Sequence, residues 1–352
     1  MLDRNFAIQY FQRYWAENKA KGLLAELYLS EYLMKQNQKI FRTGAWLLSP
    51  KLADSHKYRF AFFIHSSCAP ENSVEKIMQD VASDYLYSRI AFFLREAGVE
   101  TLYAIPVSRV QKIENNDDDM RLQWNFFRLF DGKYESVDDT FFYSWRGRGR
   151  VSHPQRRMSE DTINNYQKLG NKELSLLFLN EAFYTSYLKR NLKVPVNDPY
   201  DVDGFIVSYS GSVFPIEVKE KSPGGEGNSQ FFGIDVGRII MLLHLCLPND
   251  SNALYIVREV GDSPRRKFIG WRYITLSNLI MVAGWGGQAG GTGMGGGTTQ
   301  TILMPYESFE DFTSETLSID SLNSIQSLTA DAKTRAEKFL NAIEQRYFLR
   351  KP

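Results

Sequence analysis

Three stretches of this sequence occur twice, in the same order and at nearly the same spacing. Residues 21–41, KGLLAELYLSEYLMKQNQKIF, and residues 176–194, LLFLNEAFYTSYLKRNLKV, each place a glutamate (Glu26, Glu181) six residues before a Tyr-Leu pair. Residues 89–110, RIAFFLREAGVETLYAIPVSRV, and 238–260, RIIMLLHLCLPNDSNALYIVREV, share an Arg-Ile-led apolar helix, a polar break and a strand containing Leu-Tyr. LQWNFFRLFD at 122–131 is echoed by FIGWRYITLSN at 268–278. Three ordered echoes, all about 150 residues apart, predict a tandem duplication of one α/β unit. The length of 352 residues agrees, since it suggests about two domains.

The seam is expected at WRGRGRVSHPQRRMSED, where Gly, Pro and charge interrupt the apolar pattern. The expected organisation is a first lobe over 1–145, a basic linker over 146–160, a second lobe over 161–315 and a C-terminal helical segment over 316–352. Arg146, Arg148, Arg150, Arg156 and Arg157 follow one another with no acid between them. They suit a phosphate-contacting linker, or a plainly solvated loop. The rest of the chain gives such a patch its meaning. With 42 basic and 41 acidic side chains, the protein cannot coat a polyanion by net charge, so any nucleic-acid site must be local. A composition 43% hydrophobic and 24% charged excludes wholesale disorder.

Two cysteines, Cys68 and Cys246, form no disulfide framework or thiolate metal site and are expected as buried thiols. No apolar run reaches membrane-spanning length. The N-terminal stretch is broken by Asp3, Arg4, Gln9 and Arg13 and lacks a signal-peptide core. A cytoplasmic protein without membrane contact is expected. GWGGQAGGTGMGGG at 284–297 has nine glycines in fourteen residues but no GKS or GKT, so it is expected as a flexible loop rather than a P-loop. Ala332, Ala336, Phe339, Leu340, Ile343 and Tyr347 fall at helical spacing, which predicts a terminal helix packed on the chain. The four histidines show no metal-binding spacing, and His244 reads as a core residue. No Gly-x-Ser-x-Gly elbow exists. The aromatics of WNFFRLF could stack on bases but fit a core strand better.

The chemistry concentrates in NDPYDVDGFIVSYSGSVFPIEVKEK at 197–221. GFIVSYS and VFPIEVKEK read as two strands joined at Ser210-Gly211-Ser212. Glu217 and Lys219, two residues apart on a strand, share a face. Asp203 opens the first strand, and a hairpin can bring it beside Glu217. Two carboxylates with open coordination positions suit Mg²⁺, which prefers oxygen ligands and keeps several waters. A neighbouring Lys can orient a metal-activated water and stabilise charge on a phosphorane.

Helix glutamate, aspartate, hairpin and Glu-Val-Lys strand together resemble the PD-(D/E)xK nuclease superfamily, which includes restriction endonucleases and Holliday-junction resolvases. The resemblance covers roughly 170–260 in the order helix, hairpin, helix (231–246), strand (253–260). It implies a restriction endonuclease-like α/β fold, a mixed sheet flanked by helices, and Mg²⁺-dependent hydrolysis of DNA, with Mn²⁺ as substitute. It implies Asp203, Glu217 and the Val218 carbonyl as metal ligands, Lys219 as the catalytic lysine, and Glu181, or in competition Glu173, as the helix carboxylate. This sequence departs from the pattern in having no Pro directly before Asp203; Pro199 is nearest, and Asp201 could take the aspartate's place. Glu17-Asn18-Lys19 has the same tripeptide spacing in a helical context.

The first half lacks the constellation. Its equivalent strand reads as YRFAFFIHSS at 58–67, with Tyr58 or Asp54 in the place of Asp203, so a degenerate first lobe is expected. Restriction or phage defence would be consistent roles, and a homodimer or separately encoded partner protein is possible. The alternatives are a non-catalytic nucleic-acid-binding or scaffold protein, or a nuclease that is RNA-directed or effector-activated.

Overall fold

The computed structural model describes residues 3–37, 41–48, 58–107, 123–138, 157–183, 187–188, 200–262, 266–283, 288–289 and 300–349. They fall into two compact units, Met1–Glu31 with Thr43–Val202, and Tyr32–Arg42 with Asp203–Pro352. Most of the expected basic linker, together with the Gly-rich stretch apart from Gln288 and Ala289, lies outside the described residues.

The first unit is built from α1 (Arg4–Tyr14), the start of α2 (Glu17–Asn37), β1 (Phe41–Leu48), β2 (Phe60–Ile64), α3 (Val74–Ser83), α4 (Tyr85–Glu96), β3 (Glu100–Val107), β4 (Gln123–Phe130), β5 (Lys133–Val137), α5 (Glu160–Lys168) and α6 (Asn171–Glu181). Its strands run in the order β1-β2-β3-β4-β5. Successive pairings are antiparallel, parallel, antiparallel and antiparallel. The parallel β2–β3 pair needs a crossover, which α3 and α4 supply. Asp84 fixes the start of α4, its carboxylate accepting from the Leu86 amide at 2.8 Å.

One aromatic core holds this unit together. The Phe6, Tyr10 and Phe11 side of α1 is buried, and both Phe6 and Tyr10 meet the Phe178 ring of α6 edge-on. Phe11 stacks on Trp15 at 3.9 Å. Alternation along β4 sends Trp124 and Phe126 to the face where Phe183 packs, with centroids 5.2 and 6.2 Å away. Trp124, Phe126 and Phe127 therefore fill a core strand, while Phe130 at its end is exposed.

Glu17 opens α2 and is buried, yet ionised. Its carboxylate accepts from the Ser159 amide at 2.7 Å and from the Ser159 and Thr162 hydroxyls at 2.9 Å, and pairs with Lys21 at 2.8 Å. Burial raises its pKa, but the bonds from Lys21, Ser159 and Thr162 outweigh that and lower it from 4.5 to about 2. A carboxyl with a depressed folded-state pKa stabilises the fold above its unfolded pKa and loses that contribution as pH falls through the folded value. The shift corresponds to about 3 kcal/mol. The stability gap between wild type and Glu17→Gln, measured by urea unfolding, is therefore expected to be full at neutral pH. It should shrink as pH falls from 4.5 to about 2. A gap constant over that range would refute the assignment.

The second unit contains β6 (Tyr200–Val207), β7 (Val213–Lys221), β8 (Phe231–Asp235), α7 (Val236–Cys246), β9 (Leu254–Val260), β10 (Phe268–Thr275), α8 (Leu276–Val282), β11 (Gln288–Ala289), β12 (Gln300–Pro305), β13 (Glu310–Asp311), α9 (Ile319–Ser324) and α10 (Ala330–Leu349). Its main strands run β6-β7-β9-β10-β13, with the same succession of antiparallel, parallel, antiparallel and antiparallel pairings. Strands β8, β12 and β11 form a small antiparallel sheet. The architecture is mixed α/β, with mixed sheet flanked by helices.

The β6–β7 hairpin forms as its sequence predicts, with Gly211 at φ 87° in the turn. Pro215 is tolerated in β7 because β9 begins to pair only at Ile216, so the missing N–H lies where β7 has one neighbour. The stretch 231–246 departs from the helix expected there. Its first five residues, FFGID, form β8 because Phe231 to Asp235 pair with β12, and the helix starts at Val236. In α10, Ala332 and Ala336 are fully buried, Phe339 and Leu340 half-buried, and Arg335 donates to the Met281 carbonyl of α8 at 3.0 Å. The side chains of Ile343 and Tyr347 lie outside the described residues. Cys246 is buried, and burial pushes its thiol up to about 12. Cys68 is exposed, against expectation, because the chain leaves the sheet after β2.

Candidate active site

Strand register assembles the site in the second unit. In the β6–β7 hairpin Gly204 pairs with Ile216, and continuing the register by one residue sets Asp203 opposite Glu217. Opposed residues of an antiparallel pair share a face, and Lys219 follows on that face two residues later. In the parallel β7–β9 pair Glu217 lies beside Tyr255. The sheet thus aligns Asp203, Glu217, Lys219 and Tyr255 on one side. The opposite side of β7 carries Glu220, which pairs with Arg258 at 2.9 Å and Arg266 at 3.0 Å.

Glu217 is 0% exposed and Asp203 8%. The Glu217 Oε1 atom lies 2.6 Å from Lys219 Nζ and 3.3 Å from Arg238 Nε, which reaches in from the first turn of α7. The geometry is that of charge proximity, and Glu217 Oε2 has no hydrogen-bond partner among the described residues. Asp203 Oδ2 accepts from the Val218 amide at 2.6 Å, which locks the aspartate to β7. Tyr255 donates its buried hydroxyl to the Gly233 carbonyl at 3.0 Å, and burial together with the carboxylates around it keeps the phenol well above its ordinary pKa.

Burial draws the Lys219 pKa down, but the Glu217 and Asp203 carboxylates outweigh it and hold the group above the usual lysine range. Lys219 is therefore a cation at neutral pH, able to donate but not to act as a base. Burial lowers Lys221, one step further along the same face, with Lys219 adding to the shift and Asp235 and Glu217 opposing it.

Sequence reading singled out Asp203, Glu217 and Lys219, and the second unit brings these three together. Val218 lies between Glu217 and Lys219 with its amide on Asp203. Glu181 belongs to the first unit, where it ends α6, is buried and pairs with Lys19 at 2.5 Å. That pair and the Glu17 network give the Glu17-Asn18-Lys19 tripeptide a structural use. Glu173 lies in the first turn of α6. Arg157 is exposed and bridges Ala16 through its backbone, while Arg146, Arg148, Arg150 and Arg156 lie outside the described residues. Arg238, Tyr255, Lys221 and Asp235 were not anticipated as site residues. Sequence pointed to two of them only as repeat markers, Arg238 in the Arg-Ile start of α7 and Tyr255 in the Leu-Tyr of β9.

The first unit lacks these groups at the matching register. Phe62 and Phe63 pair with Leu102 and Tyr103 as Ile216 and Glu217 pair with Leu254 and Tyr255. Strand β2 therefore corresponds to β7, not to the Asp203 strand as expected. Trp46 pairs with Phe62, so Ala45 stands at the position of Asp203, in place of Tyr58 or Asp54. Asp54 lies outside the described residues. Phe63 stands for Glu217 and His65 for Lys219. His65 Nδ1 contacts the Tyr103 hydroxyl at 3.0 Å, and burial lowers its pKa. Trp124 and Trp271 also fall at one register, opposite Pro106 and Arg258.

Among the described residues no cluster of three or more His, Cys, Asp or Glu side chains is placed to hold a metal ion, and no helix is long and apolar enough to cross a membrane. Comparison with known proteins finds no matching family model, no matching curated protein and no matching solved structure.

Proposed function

We propose that this chain is a Mg²⁺-dependent nuclease that hydrolyses phosphodiester bonds in DNA. In this reading it carries two tandem restriction endonuclease-like units, of which only the second is catalytic. The observation that carries the proposal is the Glu217 carboxylate, wholly buried, flanked by Asp203 and Lys219, with one oxygen unpartnered. Lys219 and Arg238 balance the charge, but a buried carboxylate oxygen without a hydrogen-bond partner is still costly, and a metal ion would take up that oxygen. Asp203, Glu217 and the Val218 carbonyl fit Mg²⁺ by donor type, and two carboxylates suffice for an ion that retains several waters. Mn²⁺ has the same donor preference.

The duplication is supported by the shared succession of strand pairings and by the echoes themselves. Both Leu-Tyr pairs and both tryptophans occupy equivalent registers. Ala45, Phe63 and His65 offer no carboxylate, which leaves the first unit a non-cutting role such as holding nucleic acid.

When bound, the cation would polarise the phosphodiester and lower the pKa of a water. Asp203 and Glu217 would hold it, and Asp203 is itself held by the Val218 amide. Lys219 orients the attacking water and donates to the charge that develops on phosphorus-bound oxygen. Substituting Asp203→Asn or Glu217→Gln is expected to lower Mg²⁺-dependent DNA cleavage about a hundredfold or more. Glu220→Gln, on the opposite face, should leave cleavage within about threefold of wild type. Equal cleavage by all three variants on a gel assay would overturn the assignment.

A further inference from the structure

Among the described residues, the charges that the ion pairs place around Glu217 balance without any bound ion. Asp203 and Glu217 contribute two negative charges, Lys219 and Arg238 two positive ones. Outside these, Lys221 and Asp235 add one of each sign. A divalent cation entering such a cluster gains Glu217 and Asp203 but meets Lys219, Arg238 and the positive end of α7. Arg238 is the group that can yield. Its side chain is 18% exposed, it contacts Glu217 Oε1 through Nε at 3.3 Å, and it sits in the first turn of a helix. Lys219 is closer, on the same strand as Glu217 and at 2.6 Å. A guanidinium also matches phosphate oxygens as well as it matches a carboxylate.

We propose that Arg238 is a positioning residue that serves as the resident counter-ion of Glu217, gives up the carboxylate to the divalent cation, and then pairs with the substrate phosphate. Cation and phosphodiester then load together, each making room for the other's charge. This rests on the nuclease reading and adds to it an order of assembly. In the ion-free protein, Arg238 keeps Glu217 compensated. With cation alone, the cluster carries excess positive charge. With cation and nucleic acid, the phosphate neutralises the excess and accepts the guanidinium. Binding of the two ligands is therefore positively coupled, and the coupling is reciprocal.

The test is calorimetric titration of Ca²⁺ into the full chain, with and without a short DNA duplex whose integrity is followed on a gel. In wild type the duplex should tighten Ca²⁺ binding at least about tenfold. In Arg238→Ala, Ca²⁺ should bind the duplex-free protein at least about fivefold tighter than it binds wild type, and the enhancement by duplex should shrink correspondingly. Arg238→Lys, which keeps a charge but not the fork, should fall between them, and it carries the measurement if Arg238→Ala does not fold. A residue that only supported the helix would leave the duplex-dependent ratio unchanged. Equal Ca²⁺ affinities for wild type and variants, with the same enhancement by duplex, would overturn the role of Arg238 while leaving the nuclease reading in place. Absence of Ca²⁺ binding by wild type in both conditions would overturn both.

Discussion

Replacing Lys219 with alanine is expected to lower Mg²⁺-dependent cleavage about a thousandfold or more, a loss of about 4 kcal/mol of transition-state stabilisation. Two carboxylates hold the ammonium cationic, and it lies on the same face as both of them. A fixed cation beside a developing phosphorane acts where water is scarce and the local dielectric low, so its removal costs more than an exposed lysine would. The side chain is 31% exposed, so truncation opens no core cavity, and Arg238 still compensates Glu217. The variant should therefore keep its circular dichroism spectrum and unfold near the wild-type midpoint. Lys219→Arg should recover part of the rate, since the charge returns without the compact geometry. Full activity in folded Lys219→Ala would mean that the cluster serves the fold and not the chemistry.

Phe183→Ala tests the first unit's core with a comparable energy. Phe183 is fully buried just beyond α6, among Phe62 at 5.4 Å, Trp124 at 5.2 Å, Phe126 at 6.2 Å and Tyr187 at 6.2 Å. Truncation removes an aromatic ring from contact with four others, and rigid strands on one side limit collapse of the cavity. The expected destabilisation is about 3–5 kcal/mol by urea unfolding. A loss under about 1 kcal/mol would show that Phe183 is not packed on the Phe62, Trp124 and Phe126 rings.

What the sequence disclosed follows the range of the interactions concerned. The β6–β7 hairpin was legible because alternation, a Ser-Gly-Ser turn and strand length are all local, and they carry Asp203, Glu217 and Lys219 with them. The fully buried core of β3 and β9 was legible as apolar runs containing Leu-Tyr. By contrast, the start of α7 was misjudged because FFGID is apolar enough for either element. Only its partner strand β12, about 70 residues later, decides the matter. Arg238 escaped notice because its ion pair with Glu217 depends on where a helix crosses a strand. The register matching that of Asp203 falls on β1, FRTGAWLL, which offers no carboxylate to mark it, whereas the apolar run of β2 is the more conspicuous in sequence. Glu17 could not have been separated from any other helix-opening glutamate without knowing that Ser159 and Thr162 return to it. Cys68 comes four residues after β2 in a polar stretch, Ser66-Ser67 before it and Pro70-Glu71-Asn72 after it, and these loop signals outweigh the usual burial of a free cysteine.

The most direct measurement is incubation of the wild-type chain with duplex, single-stranded and branched DNA and with RNA, each with Mg²⁺ and with EDTA, read on denaturing gels. Cleavage of DNA in Mg²⁺ and none in EDTA is the expected result. Intact DNA in every Mg²⁺ reaction, from a chain shown to be folded, would contradict it.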